Sequence, residues 1–165
     1  MKLNQSLKTF IIQIFCLFSS LAGQSQTFTL SDSLFNVGDE YNINNLRLGF
    51  DGDRLDDESK IILDSIVKFL NSNPDIQVEF ANYFDIRGKA DANLKNSQVT
   101  AEWFVNYLIT KGANAEQIIA KGYGESDPLF TEEEINNYRF TDEREYARLH
   151  ILNRRNILRI IKVGE

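Results

Sequence analysis

Apolar residues in this chain change their spacing several times, and this change constrains the fold more than any other feature. Residues 57–70 and 91–111 carry apolar side chains three or four positions apart, which predicts two amphipathic helices. Residues 76–80 alternate between apolar and polar side chains, which predicts a half-buried strand. A brief third strand is predicted within "NAEQIIAKGYGESDP" and a last strand within "RRNILRIIKV". Helices interleaved with strands predict a two-layer α/β sandwich with about four strands in a mixed sheet and two main helices.

A first strand and an N-terminal arm are predicted before the first helix. Leu46, Leu48 and Phe50 alternate with polar or small residues, as in a half-buried strand. The preceding residues 24–42 have scattered aromatic side chains and a Gly-Asp turn signal, which indicates an extended arm with short strand pieces. The sandwich domain is therefore expected to span residues 43–163.

A strongly charged segment, "LFTEEEINNYRFTDEREYARLH", separates the third predicted strand from the last one. This composition is typical of a surface insertion. A short extra helix is expected over residues 142–149, and the acidic residues at 132–134 are interpreted as a solvated face.

The N-terminal residues 1–23 have the layout of a secretory signal peptide. Lys2 and Lys8 precede the apolar run "FIIQIFCLFSSLAG", and cleavage is expected near Ala22. A retained membrane anchor is the less favoured alternative, because the run is shorter than the roughly 20 residues that span a membrane. Lipid attachment is not expected, since Cys16 lies inside the apolar run and not at the cleavage point.

Charge and cysteine content limit the partners of the mature chain. Without the leader and its two lysines, 16 basic residues face 24 acidic ones, a net charge of −8, and no cysteine remains. Stability must then come from a packed core and not from disulfides. Because binding to phosphates needs a basic face, nucleic acids and anionic membrane surfaces are not expected partners.

Neither a metal site nor a catalytic site is predicted. An EF-hand loop starting at Asp51 would need Gly at its sixth position and Glu at its twelfth, where this chain has Asp56 and Ile62. The acidic residues 56–58 are better explained as the first turn of a helix, where the helix dipole favours negative charge. His150 is the single histidine and is expected to be solvent-facing or structural. We therefore expect no cofactor, no metal and no enzymatic activity.

The stretch "ANYFDIRG" raises a more specific question, because Asp85 follows directly on the second predicted strand. In one interpretation the Asp85 carboxylate accepts hydrogen bonds from turn amides. In the other, Asp85 binds the ammonium group of a zwitterionic ligand, while Arg154 or a helix N-terminus binds its carboxylate. Both interpretations remain open from the residues alone.

Several motifs resemble the OmpA-like C-terminal domain, the peptidoglycan-associating module of many Gram-negative envelope proteins. These motifs are "NNLRLGFDGDRL", "FDIRG", "VNYLITKGANAEQIIAKGYGESDP" and "NRR" at residues 153–155. At the position of "FDIRG" the family has His-Thr-Asp followed by two variable residues and Gly. The resemblance covers residues 44–161, and the lead-in "FNVGDEYNINNL" is similar to forms common in Bacteroidetes. It implies an OmpA-like sandwich fold.

The resemblance also implies a ligand site. In that family the module binds the diaminopimelate portion of the peptidoglycan stem peptide without catalysis. Asp85 matches the aspartate that meets the ligand, and Arg154 matches an arginine that supports the site. Phe84 stands where threonine is usual, and Thr100 stands where the family has an arginine for the ligand carboxylate. Arg87 is a candidate to compensate from another direction.

Two functions are compatible with these residues. The first is a secreted, periplasmic module, free or associated with the outer membrane, that binds peptidoglycan and has no transmembrane span after processing. The alternative is a diverged domain that has lost the ligand and serves as a protein-interaction or structural module of the envelope. In that alternative, Tyr83 and Phe84 are expected to be exposed aromatic residues that contact a protein partner.

Overall fold

The computed structural model describes residues 26–43, 45–46 and 55–164. The described strands are β1 (Glu40–Ile43), β2 (Gln77–Tyr83), β3 (Ile118–Gly124) and β4 (Arg155–Lys162). The described α-helices are α1 (Asp57–Ser72), α2 (Ala90–Thr110), α3 (Glu132–Asn136) and α4 (Glu143–Asn153), with a 3₁₀ turn over Ala115–Gln117. The predicted signal peptide and most of the strand predicted around Leu48 lie outside the described residues.

The four strands form one mixed sheet in the order β1-β4-β2-β3. Strands β2 and β3 are parallel, and helix α2 lies on the crossover between them, as a parallel connection requires. Strand β4 runs antiparallel to both β1 and β2. The two-layer α/β sandwich predicted from the sequence is confirmed.

Helix α1 begins where its acidic residues predict. The Asp56 carboxylate accepts a hydrogen bond of 2.7 Å from the Ser59 N–H, and Asp57 and Glu58 follow in the first turn. A carboxylate cap and acidic residues at this end stabilise the helix through its unpaired amides and its dipole. The helix ends before Pro74, because proline disfavours helical geometry in the residue that precedes it.

The core lies between the sheet and helices α1 and α2. Phe80 on β2 packs against Phe104 on α2 with ring centroids 5.4 Å apart, and both side chains are buried. Leu63 and Leu70 of α1 are completely buried in the same cluster. Burying each such side chain contributes about 1.5–3 kcal/mol. This packing fixes the register of β2, and with it the position of the turn that follows.

The predicted arm packs on the sandwich, and its last residues belong to the sheet. Phe28 stacks on Phe69 of α1 at 5.5 Å and meets Phe35 edge-on at 5.5 Å. Strand β1 begins at Glu40, inside the stretch that the sequence assigned to the arm. Pairing with β4 explains the difference, since a strand of four residues is too short for a periodicity signal.

The charged insertion contains helix α4, as predicted, and also helix α3, which was not predicted. The acidic residues 132–134 in the first turn of α3 are exposed, as expected for a solvated face. A capping box begins α3: the Thr131 hydroxyl accepts from the Glu134 N–H at 3.3 Å, and the Glu134 carboxylate accepts from the Thr131 N–H at 2.7 Å. Ile135 is completely buried and attaches the short helix to its surroundings. The capping box satisfies two of the unpaired amides at the start of this short helix.

Candidate functional site

The chain turns sharply after β2, and two residues fix the turn. Gly88 has φ +115°, a conformation that glycine adopts without steric cost. A Cβ atom at Gly88 would lie 3.3 Å from the Asn93 side-chain oxygen. The buried Asn93 amide donates to the backbone oxygens of Asp85 and Arg87, at 3.2 and 3.3 Å. The turn is therefore held from within, by the first residues of α2.

The Asp85 carboxylate is 2% exposed and hydrogen bonded on both oxygens. The Arg87 backbone N–H and its Nε donate to Oδ1, each at 2.9 Å, and Arg87 Nη2 donates to Oδ2 at 2.7 Å. Arg154 Nε also donates to Oδ2. The turn interpretation of Asp85 is thus correct for its local contacts, and the structure brings Arg154 to the same carboxylate.

Electrostatics keep Asp85 ionised. Burial raises the pKa of this carboxyl, but hydrogen bonds from Arg87 and Arg154 outweigh burial and lower the pKa from 3.8 to about 2. The fork between Arg87 and Asp85 is bidentate, which is the strongest geometry for such a pair. Asp85 therefore carries a full negative charge throughout the neutral and mildly acidic range.

His150 lies behind Asp85 and is buried, which fits a structural role, one of the two roles expected from the sequence. Its side chain is 1% exposed, and its Nδ1 is 3.8 Å from Asp85 Oδ1, beyond hydrogen-bond range. Tyr146 packs edge-on against its ring at 4.6 Å. Among the described residues, neither ring nitrogen of His150 has a hydrogen-bond partner. Burial lowers the pKa of His150, and the nearby Arg87 lowers it further, so the ring is neutral.

Arg154 is placed by its two neighbours at the junction of α4 and β4. The buried Asn153 amide accepts from the Phe130 N–H at 2.9 Å and donates to the Phe130 carbonyl at 2.8 Å. The Arg155 guanidinium lies 3.7 Å from the centroid of the Tyr83 ring. With both neighbours anchored, Arg154 keeps a side chain that is 58% exposed and yet bound to Asp85.

A cleft of about 310 Å³ opens beside these residues, between the end of β2, helix α2 and the start of β4. Phe84, Thr100 and Arg154 line it, so three of the five predicted site residues share one cavity. Asp85 is buried behind Arg154, and Arg87 is not among the residues that line the cleft. The other lining residues are Leu46, Asn82, Tyr83, Phe104, Arg155 and Asn156.

The expectation that Tyr83 is an exposed aromatic residue is wrong. Tyr83 is 2% exposed and stacks on Tyr123 with ring centroids 4.8 Å apart. Its hydroxyl accepts a hydrogen bond of 3.1 Å from Arg159, while Arg155 covers the ring. The strand neighbours on β3 and β4 thus bury the ring, and only Phe84 keeps partial exposure.

Polar residues of α2 that bind strand β3 were not predicted. Gln98 accepts from the Gly122 N–H at 2.8 Å and donates to the Ala120 carbonyl at 3.2 Å, in the manner of a neighbouring strand. Ser97 accepts from the Gly124 N–H at 2.8 Å. The signal in the sequence was the pair of glycines in a strand, which indicates close approach of another backbone.

Two kinds of feature are missing from residues 26–43, 45–46 and 55–164. In this part of the chain, no group of three or more histidine or acidic side chains is arranged to hold a metal ion. In the same part, none of the helices has both the length and the apolar character that crossing a membrane requires.

Comparison with known proteins identifies the family. The model of the OmpA family matches residues 49–141, more than half of the chain. The chain belongs to the OmpA family. It is 34% identical over 85 residues to the peptidoglycan-associated lipoprotein of Pasteurella multocida, covering 52% of this chain and 57% of that protein. It is 36% identical over 108 residues to outer membrane protein A of Klebsiella aerogenes, covering 64% of this chain and 27% of that protein.

Solved structures agree with this membership. The crystal structure of the peptidoglycan-associated lipoprotein from Burkholderia pseudomallei superimposes with a TM-score of 0.52 at 25% identity, over 68% of this chain and 85% of that one. The periplasmic domain of Helicobacter pylori MotB gives a TM-score of 0.54 at 16% identity, over 74% of each chain. The second likeness concerns the fold alone. Together they confirm the OmpA-like sandwich.

Proposed function

We propose that this member of the OmpA family is a non-catalytic envelope module that associates non-covalently with peptidoglycan. The observation that carries the proposal is the exposed Arg154 guanidinium, which the buried Asp85 holds at the edge of the cleft. The names of relatives from Pasteurella and Burkholderia, both peptidoglycan-associated lipoproteins, support it. The relatives from Pasteurella and Klebsiella are named as a peptidoglycan-associated lipoprotein and an outer membrane protein, which agrees with a binding role and not a catalytic one.

The chemistry of the cleft suits a carboxylate on a short, flexible arm. Arg154 offers charge and several N–H donors, Thr100 offers a hydroxyl, and Phe84 offers an apolar wall. A diaminopimelate side chain of the stem peptide ends in a carboxylate and has an aliphatic stem. We propose that its carboxylate contacts Arg154 and its stem lies along Phe84 and Thr100.

Thr100 makes this binding weaker than it would be with an arginine at the same position. A hydrogen bond to a charged group contributes about 1.5–3 kcal/mol, equivalent to roughly one to two orders of magnitude in affinity. Threonine retains a neutral hydroxyl but no positive charge. The proposed association is therefore of modest strength.

The proposed location follows from the same role. A periplasmic module that meets peptidoglycan must be exported, and the signal peptide predicted at residues 1–23 would direct export. The domain predicted at residues 43–163 would then fold in the periplasm, either free or close to the outer membrane.

Co-sedimentation with purified peptidoglycan sacculi tests the proposal. We expect the full chain to sediment with sacculi, and the Arg154→Ala and Asp85→Ala variants to bind about ten-fold more weakly. Arg148→Ala is the matched control, since Arg148 makes the same two-pronged contact with the partly exposed Glu145 carboxylate, outside the cleft. Failure of the wild-type chain to sediment would reject the proposal.

A second candidate, a protein-interaction module, is favoured by exposed apolar residues in the charged insertion and directly after it. Leu129, Phe140 and Ile151 are 57%, 89% and 63% exposed. Apolar side chains this accessible are enriched where proteins contact partners. If neither the wild type nor a Thr100→Arg variant bound sacculi, this candidate would take precedence.

A further inference from the structure

The Asp85 carboxylate has no remaining capacity to accept a hydrogen bond. An ionised carboxylate offers about four lone-pair positions. Four donors occupy them: the Arg87 N–H and Nε on Oδ1, and Arg87 Nη2 and Arg154 Nε on Oδ2. The Asp85 side chain is also only 1% exposed. An ammonium group could reach it only by displacing one of the two arginines.

The two arginines, in contrast, keep donors that face solvent. Their side chains are 47% exposed for Arg87 and 58% exposed for Arg154. Each guanidinium has five N–H donors. Arg87 uses two of them for Asp85, one on Nε and one on Nη2, and Arg154 uses the one on Nε. Asp85 balances only one of the two guanidinium charges, so the donors that both arginines keep at the surface are suited to an anion.

We propose that Arg87 is a specificity-determining residue: by occupying Asp85, it makes the site select a carboxylate and ignore an ammonium group. This inference rests on the proposed function and specifies the part of the ligand that is recognised. The ligand class is a stem peptide with a free side-chain carboxylate, whether its side-chain amine is free or joined in an amide. Asp85 acts as a positioning residue for Arg154 and does not contact the ligand amine.

Competition with three compounds of matched carbon chain tests the inference. Full-length protein bound to sacculi is incubated with one of three competitors, and the released protein is measured. The competitors are meso-diaminopimelate, pimelate, which lacks both amines, and cadaverine, which lacks both carboxylates. We expect meso-diaminopimelate and pimelate to compete within about two-fold of each other, and cadaverine at least about ten-fold more weakly. A wild type that prefers meso-diaminopimelate over pimelate by about five-fold or more would overturn the inference.

The Arg87→Gln variant tests the residue itself. Removing the guanidinium opens Asp85, so we expect meso-diaminopimelate to become at least about five-fold better than pimelate. Arg148→Gln, the control with an equivalent fork on the partly exposed Glu145 carboxylate, should leave the two compounds equal. An Arg87→Gln protein that folds by circular dichroism and still treats both compounds alike would overturn the role of Arg87. If that variant does not fold, the wild-type comparison still decides.

These outcomes separate the inference from the proposed function. Absence of sedimentation with sacculi rejects the function before any competitor is added. Sedimentation that is displaced by meso-diaminopimelate but not by pimelate supports the function and rejects the carboxylate selectivity. Sedimentation that neither compound displaces rejects carboxylate recognition at this cleft.

Discussion

Arg154 donates its Nε–H to the carboxylate of Asp85, although 69 positions separate the two residues in the sequence. The register of the sheet explains their proximity. Tyr83 at the end of β2 pairs with Arg155 at the start of β4, so the residues just beyond both strand ends meet at one edge. The contact therefore depends on correct pairing of β2 with β4, and it joins the turn after β2 to the end of the insertion.

Replacing Asp85 with alanine should destabilise the fold. Arg87 and Arg154 would lose their shared acceptor but could turn to water, so we expect a loss of about 1–3 kcal/mol in the free energy of unfolding. Glu145→Ala is the control, because Glu145 receives the same kind of fork from Arg148 but its side chain is 27% exposed, against 1% for Asp85. There we expect a change below about 0.5 kcal/mol by urea denaturation. Equal losses in the two variants would contradict the importance of burial at Asp85.

Acid should remove the contribution of Asp85 in a defined pH range. The pKa of Asp85 is about 2 in the folded state, and its ordinary value is 3.8. Between these two pH values, the folded state therefore binds fewer protons than the unfolded state. The stabilisation, about 2 kcal/mol, is complete above about pH 4 and is lost as the pH falls through 2. Urea unfolding of wild type and Asp85→Asn at a series of pH values measures it. A stability difference between them that stays constant down to about pH 2 would contradict this assignment.

His150 should make the protein sensitive to milder acid. Burial, Arg87 and Arg154 lower its pKa below 6.5, although Asp85 opposes them, so the unfolded state takes up a proton before the folded state does. Stability should be highest above about pH 6.5 and should decrease as the pH falls below it. Because His150 is the single histidine, a His150→Leu variant should lose most of this decrease. Thermal unfolding of both proteins at about pH 7.5 and 5.5 measures the effect, and parallel decreases would contradict it.

The main elements of the fold could be predicted because each carries its own local signal. Helix α1 was expected over 57–70 and extends to Ser72, since its acidic cap and its apolar stripe are both readable. Strand β1 was anticipated only as a short strand piece of the arm, and helix α3 was not predicted. The short β1 depends on pairing with β4, and α3 has a Thr-x-x-Glu capping box followed by a single buried side chain, Ile135. Elements that are stabilised mainly by distant contacts leave little trace in sequence periodicity.

The site could be predicted only in part, because its geometry comes from pairing between distant residues. Asp85 and Arg154 were suggested by the residues themselves and by family resemblance, and the strand register brings them together. The sequence could not show that Arg87 would fold back onto Asp85, since an exposed arginine after a turn has many possible partners. Asn93 was missed for a related reason: an asparagine in the first turn of a helix usually faces solvent, whereas here it is buried against the turn.

Gly122→Ala should be strongly destabilising. A Cβ atom at Gly122 would lie 2.0 Å from the backbone nitrogen of Gln98, so α2 and β3 would have to separate. Separation would also break the hydrogen bonds of the Gln98 side chain with β3. We expect a loss of about 3 kcal/mol or more by urea denaturation, at the upper end of the range for overpacking. Lys121→Ala, at the exposed neighbouring position, should change stability by less than about 0.5 kcal/mol, and similar values for both would contradict the close approach.

Thr100→Arg should strengthen binding to sacculi. Thr100 and Arg154 line the same cleft, so an arginine at position 100 would add a second guanidinium to the proposed carboxylate site. A charge-assisted hydrogen bond of this kind should raise affinity by about ten-fold or more in co-sedimentation. Thr110→Arg is the matched control, because it adds the same charge to the exposed last turn of α2, outside the cleft. Peptidoglycan carries negative charge, so a gain that is equal in both variants would reveal general attraction and contradict a specific site.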